Sequence, residues 1–286
     1  MSITDTTRTL VRRIGELSAL DAVAKPLASV IHKLAPPGGL KDLLSGTWMG
    51  HPLHPLLTDV TIGAWTSAFV LDLVRDERAD DAARTLVGVG LLSALPTAAA
   101  GLSDWSDTVG EERRIGLVHA GSNVTALALY LLSYLARRDG RIGRGKTLGG
   151  LGAAAATVGG YLGGHLVFRL GIWVDRNAWK HPTGAWEAVA DEADLDEGEP
   201  VAVQTGDDTV LLIRTGAEVH AISSVCGHAG GPLHEGAIAD GCVICPWHGS
   251  AFRLSDGHVV RGPATGHQPV YDVQVDHGKV SVRRRP

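Results

Sequence analysis

Two short clusters in the C-terminal third carry residue types that bind metal. They are Cys226-Gly-His228 and, after sixteen residues, Cys245-Pro-Trp-His248. The pattern C-x-H…C-x-x-H offers two thiolates and two imidazoles. Two kinds of centre accept that set. Structural zinc takes Cys₂His₂ in one tetrahedron. A [2Fe–2S] cluster takes it split, with two thiolates on one iron and two imidazoles on the other, and neutral imidazole in place of thiolate raises the reduction potential. The third cysteine, Cys242, is out of ligand register and reads as a buried small apolar side chain. Three cysteines within twenty residues make a poor disulfide framework. His234 also stands outside the motif, and His258, His267 and His277 read as surface residues.

A second set of histidines lies in the apolar half of the chain. His51 and His54 sit in the run HPLHP, His119 lies near the start of a later apolar segment, and His165 near the end of the last one. Asp59, Asn123 and Asp104 are close by in sequence. Polar groups in apolar helices are costly and turn inward or act. Two facing imidazoles would bind a b-type haem axially. Three or four would hold a copper, iron or zinc ion. The plainer alternative is a polar network that joins the helices and caps their ends.

The elements that must position these residues follow from hydropathy. Four apolar segments run over 56–74, 85–102, 115–136 and 147–168, each near the ~20 residues that cross a bilayer. Gly159, Gly160, Gly163 and Gly164 form two small-xxx-small pairs that let helices approach closely. A water-soluble Ala/Gly bundle is the alternative, but these segments lack a polar face. Four crossings place the start of the first helix, the start of the third and the end of the fourth on one side, which gathers His51, His54, His119 and His165 in one layer. The same count puts Trp48, Trp105 and Trp173 at one interface, and Tyr130 and Tyr134 near the other.

Ahead of these segments, residues 17–34 space Leu17, Leu20, Val23, Leu27 and Leu34 as an amphipathic helix, either docked or lying on lipid. Pro36-Pro37-Gly38-Gly39 breaks it. The N-terminus has no apolar core of signal-peptide length. After the last apolar segment a linker passes through Arg176, Lys180 and His181-Pro182. The acidic stretch 191–199 reads as a solvated loop. Short runs VAVQ, TVLLIR and EVHAIS, separated by Gly and Asp, then predict an all-β domain. The expected organisation is an N-terminal helix and linker over 1–44, a four-helix transmembrane bundle over 45–175, a linker over 176–185 and an all-β domain over 186–286.

Composition agrees. The 286 residues suffice for two domains, and a mean hydropathy of +0.09 averages an apolar half with a polar one. A net charge of −5 gives no basic face for nucleic acid.

The stretch CPWHGSAFRLSDGHVVRGPAT resembles the second cluster loop of the Rieske family, and CGHAGGPLHEG resembles the first. The resemblance covers about 185–286. It implies two antiparallel sheets, with Cys226, His228, Cys245 and His248 as ligands of a [2Fe–2S] cluster in two loops at one tip. Gly262-Pro263-Ala264 resembles the family's proline loop. The respiratory branch carries an extra cysteine in each loop, bridged as a disulfide; here Gly231 lies near the first place and Trp247 occupies the second. The likeness is therefore to the ferredoxin-like branch. Ser250 stands where the family donates a hydroxyl hydrogen bond to the cluster. Phe252 replaces the tyrosine of the high-potential branch, which implies a low-to-middle Rieske potential. Residues 45–175, from GHPLHPLLTD through LGGHLVF, resemble a family of small four-helix bacterial membrane domains of unassigned function.

Sidedness rests on charge. The loops 75–84 and 137–146 hold Arg75, Arg78, Arg84, Arg137, Arg138, Arg141, Arg144 and Lys146. The opposite side has Lys41, Arg113, Arg114, Arg169, Arg176 and Lys180. The positive-inside rule then places the N-terminus and the β domain together outside. Arg137-Arg138 also matches a twin-arginine export signal. The expected role is a membrane-anchored one-electron carrier, rather than a complete enzyme. It would link a membrane donor such as quinol or haem to a partner protein at the cluster tip, with His228 and His248 as the exposed exit. The alternatives are the electron-donating component of a larger oxidoreductase or oxygenase complex, and a redox sensor. A complete Rieske oxygenase needs a further domain with two histidines and a carboxylate on iron, for which the chain leaves no room.

Overall fold

The computed structural model describes residues 3–74, 76–180, 184–206 and 208–285; Arg75 and the His181-Pro182 pair lie outside the described residues. Among the described residues seven α-helices come first: α1 Ile3–Glu16, α2 Asp21–Leu34, α3 Gly39–Ser45, α4 Leu53–Asp72, α5 Glu77–Trp105, α6 Gly110–Arg138 and α7 Ile142–Phe168. Ten strands follow among the described residues: β1 Glu187–Asp191, β2 Val201–Thr205, β3 Asp208–Thr215, β4 Glu218–Ser223, β5 Ala237–Ala239, β6 Cys242–Ile244, β7 Ala251–Arg253, β8 Val259–Arg261, β9 Tyr271–Asp276 and β10 Lys279–Arg284. The chain divides into two units, Met1–Ala35 with Leu53–Ile172, and Pro36–Pro52 with Trp173–Pro286.

In the helical unit, α4 packs on α5 and α6 on α7 as two hairpins, and α5–α6 and α4–α7 contacts close the ring. Helix α5 starts on a side-chain cap, the Asp76 carboxylate accepting the Arg78 N–H at 2.7 Å. Its acidic first turn suits the positive end of the helix dipole. Small residues let the helices close. A Cβ on Gly90 would stand 2.2 Å from the Trp65 indole nitrogen, and one on Gly152 would stand 3.0 Å from the Tyr130 ring. Trp65 and Tyr130 stack at 4.2 Å in the centre.

Polarity in this unit is inverted relative to a water-soluble bundle. Leu92, Val124 and Val158 are exposed, while Thr61, Ser93 and Thr97 join hydroxyl to hydroxyl at 2.9 and 3.2 Å inside. Apolar outside and small or hydrogen-bonded inside is the arrangement lipid requires. Helices α5, α6 and α7 are long and apolar enough to cross a membrane. Helix α4, with Asp59, Asp72 and a series of Thr and Ser, is not among them.

Three sequence expectations are corrected. Tyr130 is not an interfacial residue, since its ring is buried against Trp65. Trp105 is buried too, its indole N–H donating to the Arg113 carbonyl at 2.9 Å. Arg137 is not a loop charge or an exposed export signal. It lies in the last turn of α6, 2% exposed, and forks onto Asp72 at 2.8 and 2.5 Å. A desolvated guanidinium needs such a bidentate partner.

The second unit is built on three antiparallel sheets, ordered β1-β10-β9, β2-β3-β4 and β5-β6-β7-β8. Strand β3 joins two cores. Leu211 and Ile213 face the core beneath the metal loops, and Val210 and Leu212 face the core shared with Tyr271, Val280 and Val282. Side chains alternate along a strand, so burial on both faces explains why TVLLIR is an unbroken apolar run. The segment from β4 to β5 holds Cys226, and the loop between the short strands β6 and β7 holds Cys245.

Candidate metal centre

The first loop leaves β4 and the second links β6 to β7. Both fold by one hydrogen-bond pattern. Cys226 N–H donates to the Gly231 carbonyl at 2.9 Å, and Gly230 N–H returns to the Cys226 carbonyl at 2.8 Å. Likewise Cys245 N–H donates to Ser250 at 2.8 Å, and Gly249 N–H returns to Cys245 at 3.0 Å. Each loop turns back at a glycine with positive φ, +87° at Gly230 and +77° at Gly249, where a side chain would be strained. Two matched cradles thus present one cysteine and one histidine each.

Inside each cradle, backbone N–H groups point at the sulfur. Cys226 receives those of His228 and Ala229, and Cys245 those of Trp247 and His248. Such donors stabilise thiolate. All three cysteines are unbridged, and Cys226 and Cys245 are buried. The Cys226 thiol donates to the Cys245 sulfur. That bond, with burial, pushes Cys226 up, and it holds Cys245 down to about 7. His228 and His248 meet edge to face at 5.1 Å. Burial first, then the charges of His248, Lys41 and Arg176, holds the His228 imidazole well below its usual range. It is therefore neutral, the form that ligates.

Cys226 and Cys245 stand as a sulfur pair, and His228 and His248 as an imidazole pair. A tetrahedral zinc would need all four donors on one point. A split cluster needs a sulfur pair and an imidazole pair, which is what the loops present. A Cβ on Gly231 would lie 2.7 Å from Cys245 Sγ and 3.2 Å from the Trp247 ring, so that space stays clear of side chain. The [2Fe–2S] group fits, and when bound it supplies one-electron oxidation and reduction.

The surroundings are only partly what sequence indicated. Trp173 stacks on His228 at 4.4 Å with planes 27° apart. Its φ is +62°, a real outlier for a bulky residue. His228 is thereby 9% exposed, which corrects the expectation that both imidazoles form the exit. His248 is half-buried beside Trp247, which is 56% exposed. The residues expected as linker are braced into the domain. Asn177 Nδ2 donates to the Val225 carbonyl at 2.9 Å, and Arg176 N–H to Gly227 at 3.0 Å. Residues 36–52 clasp the proline loop. Asp42 accepts Gly262 N–H at 2.8 Å, Thr47 donates to the Ala264 carbonyl at 3.1 Å, and Pro37 lies against Gly249. No periodicity marks this segment, so sequence reasoning missed it. Trp173→Ala is expected to keep full iron content yet speed reduction of the cluster by dithionite, read by stopped-flow absorbance. An unchanged rate would show that other groups shield His228.

Ser250 accepts the Ala264 N–H at 3.0 Å, which leaves its own hydrogen for a cluster sulfur. Hydrogen bonds to charged acceptors contribute about 1.5–3 kcal/mol. For one electron ~1.4 kcal/mol is ~59 mV. Ser250→Ala should therefore lower the midpoint by roughly 60–130 mV in a spectroelectrochemical titration. Phe252 is fully buried in the core beneath the loops.

Among the membrane histidines, His54 and His119 are brought together, with ring centroids 6.5 Å apart. His165 is half-buried in α7 outside that ring pair, and His51 is exposed and belongs to the other unit. The expected four-histidine layer is thus reduced to a pair.

Residues 185–272 match the model of the Rieske [2Fe-2S] domain, and residues 50–176 match a family described as a predicted membrane protein, DUF2231. The chain is a Rieske protein fused to a DUF2231 membrane domain. The Rieske part is 32% identical over 102 residues to the anthranilate 1,2-dioxygenase ferredoxin subunit of Burkholderia cepacia, covering 36% of this chain and 89% of that one. It is 36% identical over 96 residues to human apoptosis-inducing factor 3, of which it spans only 16% while using 34% of this chain. The ferredoxin of carbazole 1,9a-dioxygenase from Nocardioides aromaticivorans aligns at 30% identity over 35% of this chain and 99% of its own, with a TM-score of 0.34.

Proposed function

We propose that this Rieske–DUF2231 protein is a membrane-anchored one-electron carrier. Cys226 and Cys245 hold one iron of its cluster and His228 and His248 the other, and a b-type haem among the membrane helices is the second centre. The observation that carries the reading is the pair of matched loops, each presenting one buried thiol and one imidazole. Electrons leave by the His248 edge, because Trp173 covers His228 and Trp247 offers an exposed aromatic anchor for a partner protein. The relative named as a dioxygenase ferredoxin subunit favours an oxygenase component as that partner, which makes the chain the donating member of a larger complex. Quinol or the haem serves as the membrane-side donor.

The domain limits we adopt are 45–175 for a four-crossing membrane domain and 186–286 for the Rieske domain. The inverted polarity of the bundle supports four crossings even though α4 is not among the helices long and apolar enough to cross a membrane. Four crossings leave the N-terminus and the Rieske domain on one side, and the arginines of the opposite loops favour the outside.

The full chain purified in detergent and reduced with dithionite tests this. The expected result is two irons and two sulfides per chain and a rhombic EPR signal with average g near ~1.9. A sample with zinc and neither iron nor sulfide would overturn the reading.

A further inference from the structure

The two hairpins of the helical unit present one imidazole each by the same device. In α4–α5, His54 Nδ1 lies 2.9 Å from the Thr97 carbonyl of α5. In α6–α7, His119 Nδ1 lies 2.7 Å from the Gly159 carbonyl of α7. The residue four positions after each acceptor is a glycine, and each ring rests on it. A Cβ on Gly101 would stand 2.6 Å from His54 Cε1, and one on Gly163 would stand 3.0 Å from His119 Cε1. Carbonyl oxygen only accepts, so both rings carry their proton on Nδ1 and their lone pair on Nε2.

This is the preparation that metal-ligating histidines receive, the second nitrogen donating to a carbonyl so that tautomer and ring plane are fixed. The Asn123 amide nitrogen lies beside the His119 ring, 3.4 Å from Nδ1 and 3.3 Å from Nε2, and would give up the Nε2 contact when that nitrogen ligates. Its own bond goes to the His119 carbonyl at 2.9 Å. A single metal between two imidazoles, at ~2 Å from each nitrogen, sets the ring centroids about 6 Å apart. The observed separation is 6.5 Å.

We infer that His54 and His119 are the two axial ligands of one haem iron, held between the hairpins, and that His51 and His165 are not ligands. This rests on the haem reading above and goes further by naming the pair and its supporting carbonyls. A haem held by both imidazoles would supply one-electron transfer rather than oxygen binding, since both of the chain's ligands would be engaged.

The test uses the full chain, produced with haem supply and purified in detergent. It reads haem per chain by pyridine haemochrome, the reduced-minus-oxidised spectrum, and Rieske EPR as a check that each variant is folded. The expected result is one haem per chain, lost in His54→Ala and in His119→Ala and retained in His51→Ala and His165→Ala, with the Rieske signal intact throughout. Should the alanine variants not accumulate, His54→Met and His119→Met replace them, and a displaced α band with altered low-spin EPR supports the pair. Haem retained in His54→Ala or His119→Ala but lost in His165→Ala overturns the pair and leaves the haem reading standing. A protein with a full Rieske signal and no haem, or with a stoichiometric metal and no porphyrin, overturns both.

Discussion

Cys226→Ala and Cys245→Ala should each reduce iron and labile sulfide to near zero per chain and abolish the EPR signal, while Cys242→Ala retains the cluster in full. The asymmetry follows from position. Cys226 and Cys245 lie at equivalent points of two cradles, and each sulfur receives two backbone N–H groups. Removing either leaves one thiolate and two imidazoles for two irons. Cys242 is a buried residue of β6 whose thiol lies 3.7 Å from the Asp240 carbonyl, outside both cradles. It cannot take over a place, because the strand pairs Cys242 with Arg253 and Ala239 and fixes its direction. Loss of cluster in Cys242→Ala, or a stable cluster in Cys226→Ala, would sink this ligand assignment.

The two candidate ligand loops were legible because their chemistry is local. C-x-H and C-x-x-H are each completed within one tight loop, and the glycines that turn those loops, Gly230 and Gly249, are written beside them. The β-rich runs and the apolar helices were legible for the same reason, since alternation and helical spacing are short-range. What sequence did not show depends on contacts across the fold. Trp173 reads as an aromatic at a helix end until its ring is placed on His228. Residues 36–52 have no period, and their role lies in Asp42 and Thr47 meeting Gly262 and Ala264 about 220 positions away. Tyr130 was assigned to an interface because it is aromatic near a helix end, whereas the stack with Trp65 drew it inside. The histidine layer was half legible. Crossing counts give depth along a helix but not azimuth, so they grouped four histidines where the fold pairs only His54 and His119.

Asp208→Ala should destabilise the Rieske unit by about 3–5 kcal/mol, the cost of removing one partner from a buried ion pair. Asp208 is 2% exposed and joins four segments. It accepts from Tyr271 Oη of β9 at 2.7 Å, from Ser223 Oγ of β4 at 3.0 Å, and from the Lys180 ammonium. Alanine would leave that ammonium, 15% exposed, without its counter-charge. Asp208→Asn keeps one of the two acceptor oxygens but not the charge, and should cost less. The double variant Asp208→Ala/Lys180→Met should recover much of the loss, because burying neither charge avoids the desolvation term. Urea unfolding followed by cluster absorbance reads all three, and additive single and double losses would refute a coupled pair. The network also bears on function. Lys180 lies seven residues after Trp173 on the same segment as Asn177, whose amide holds the Val225 carbonyl beside Cys226. Loosening Lys180 frees the chain that lays Trp173 over His228. Asp208→Ala should therefore speed cluster reduction by dithionite as Trp173→Ala does, and adding Trp173→Ala to it should bring little further gain.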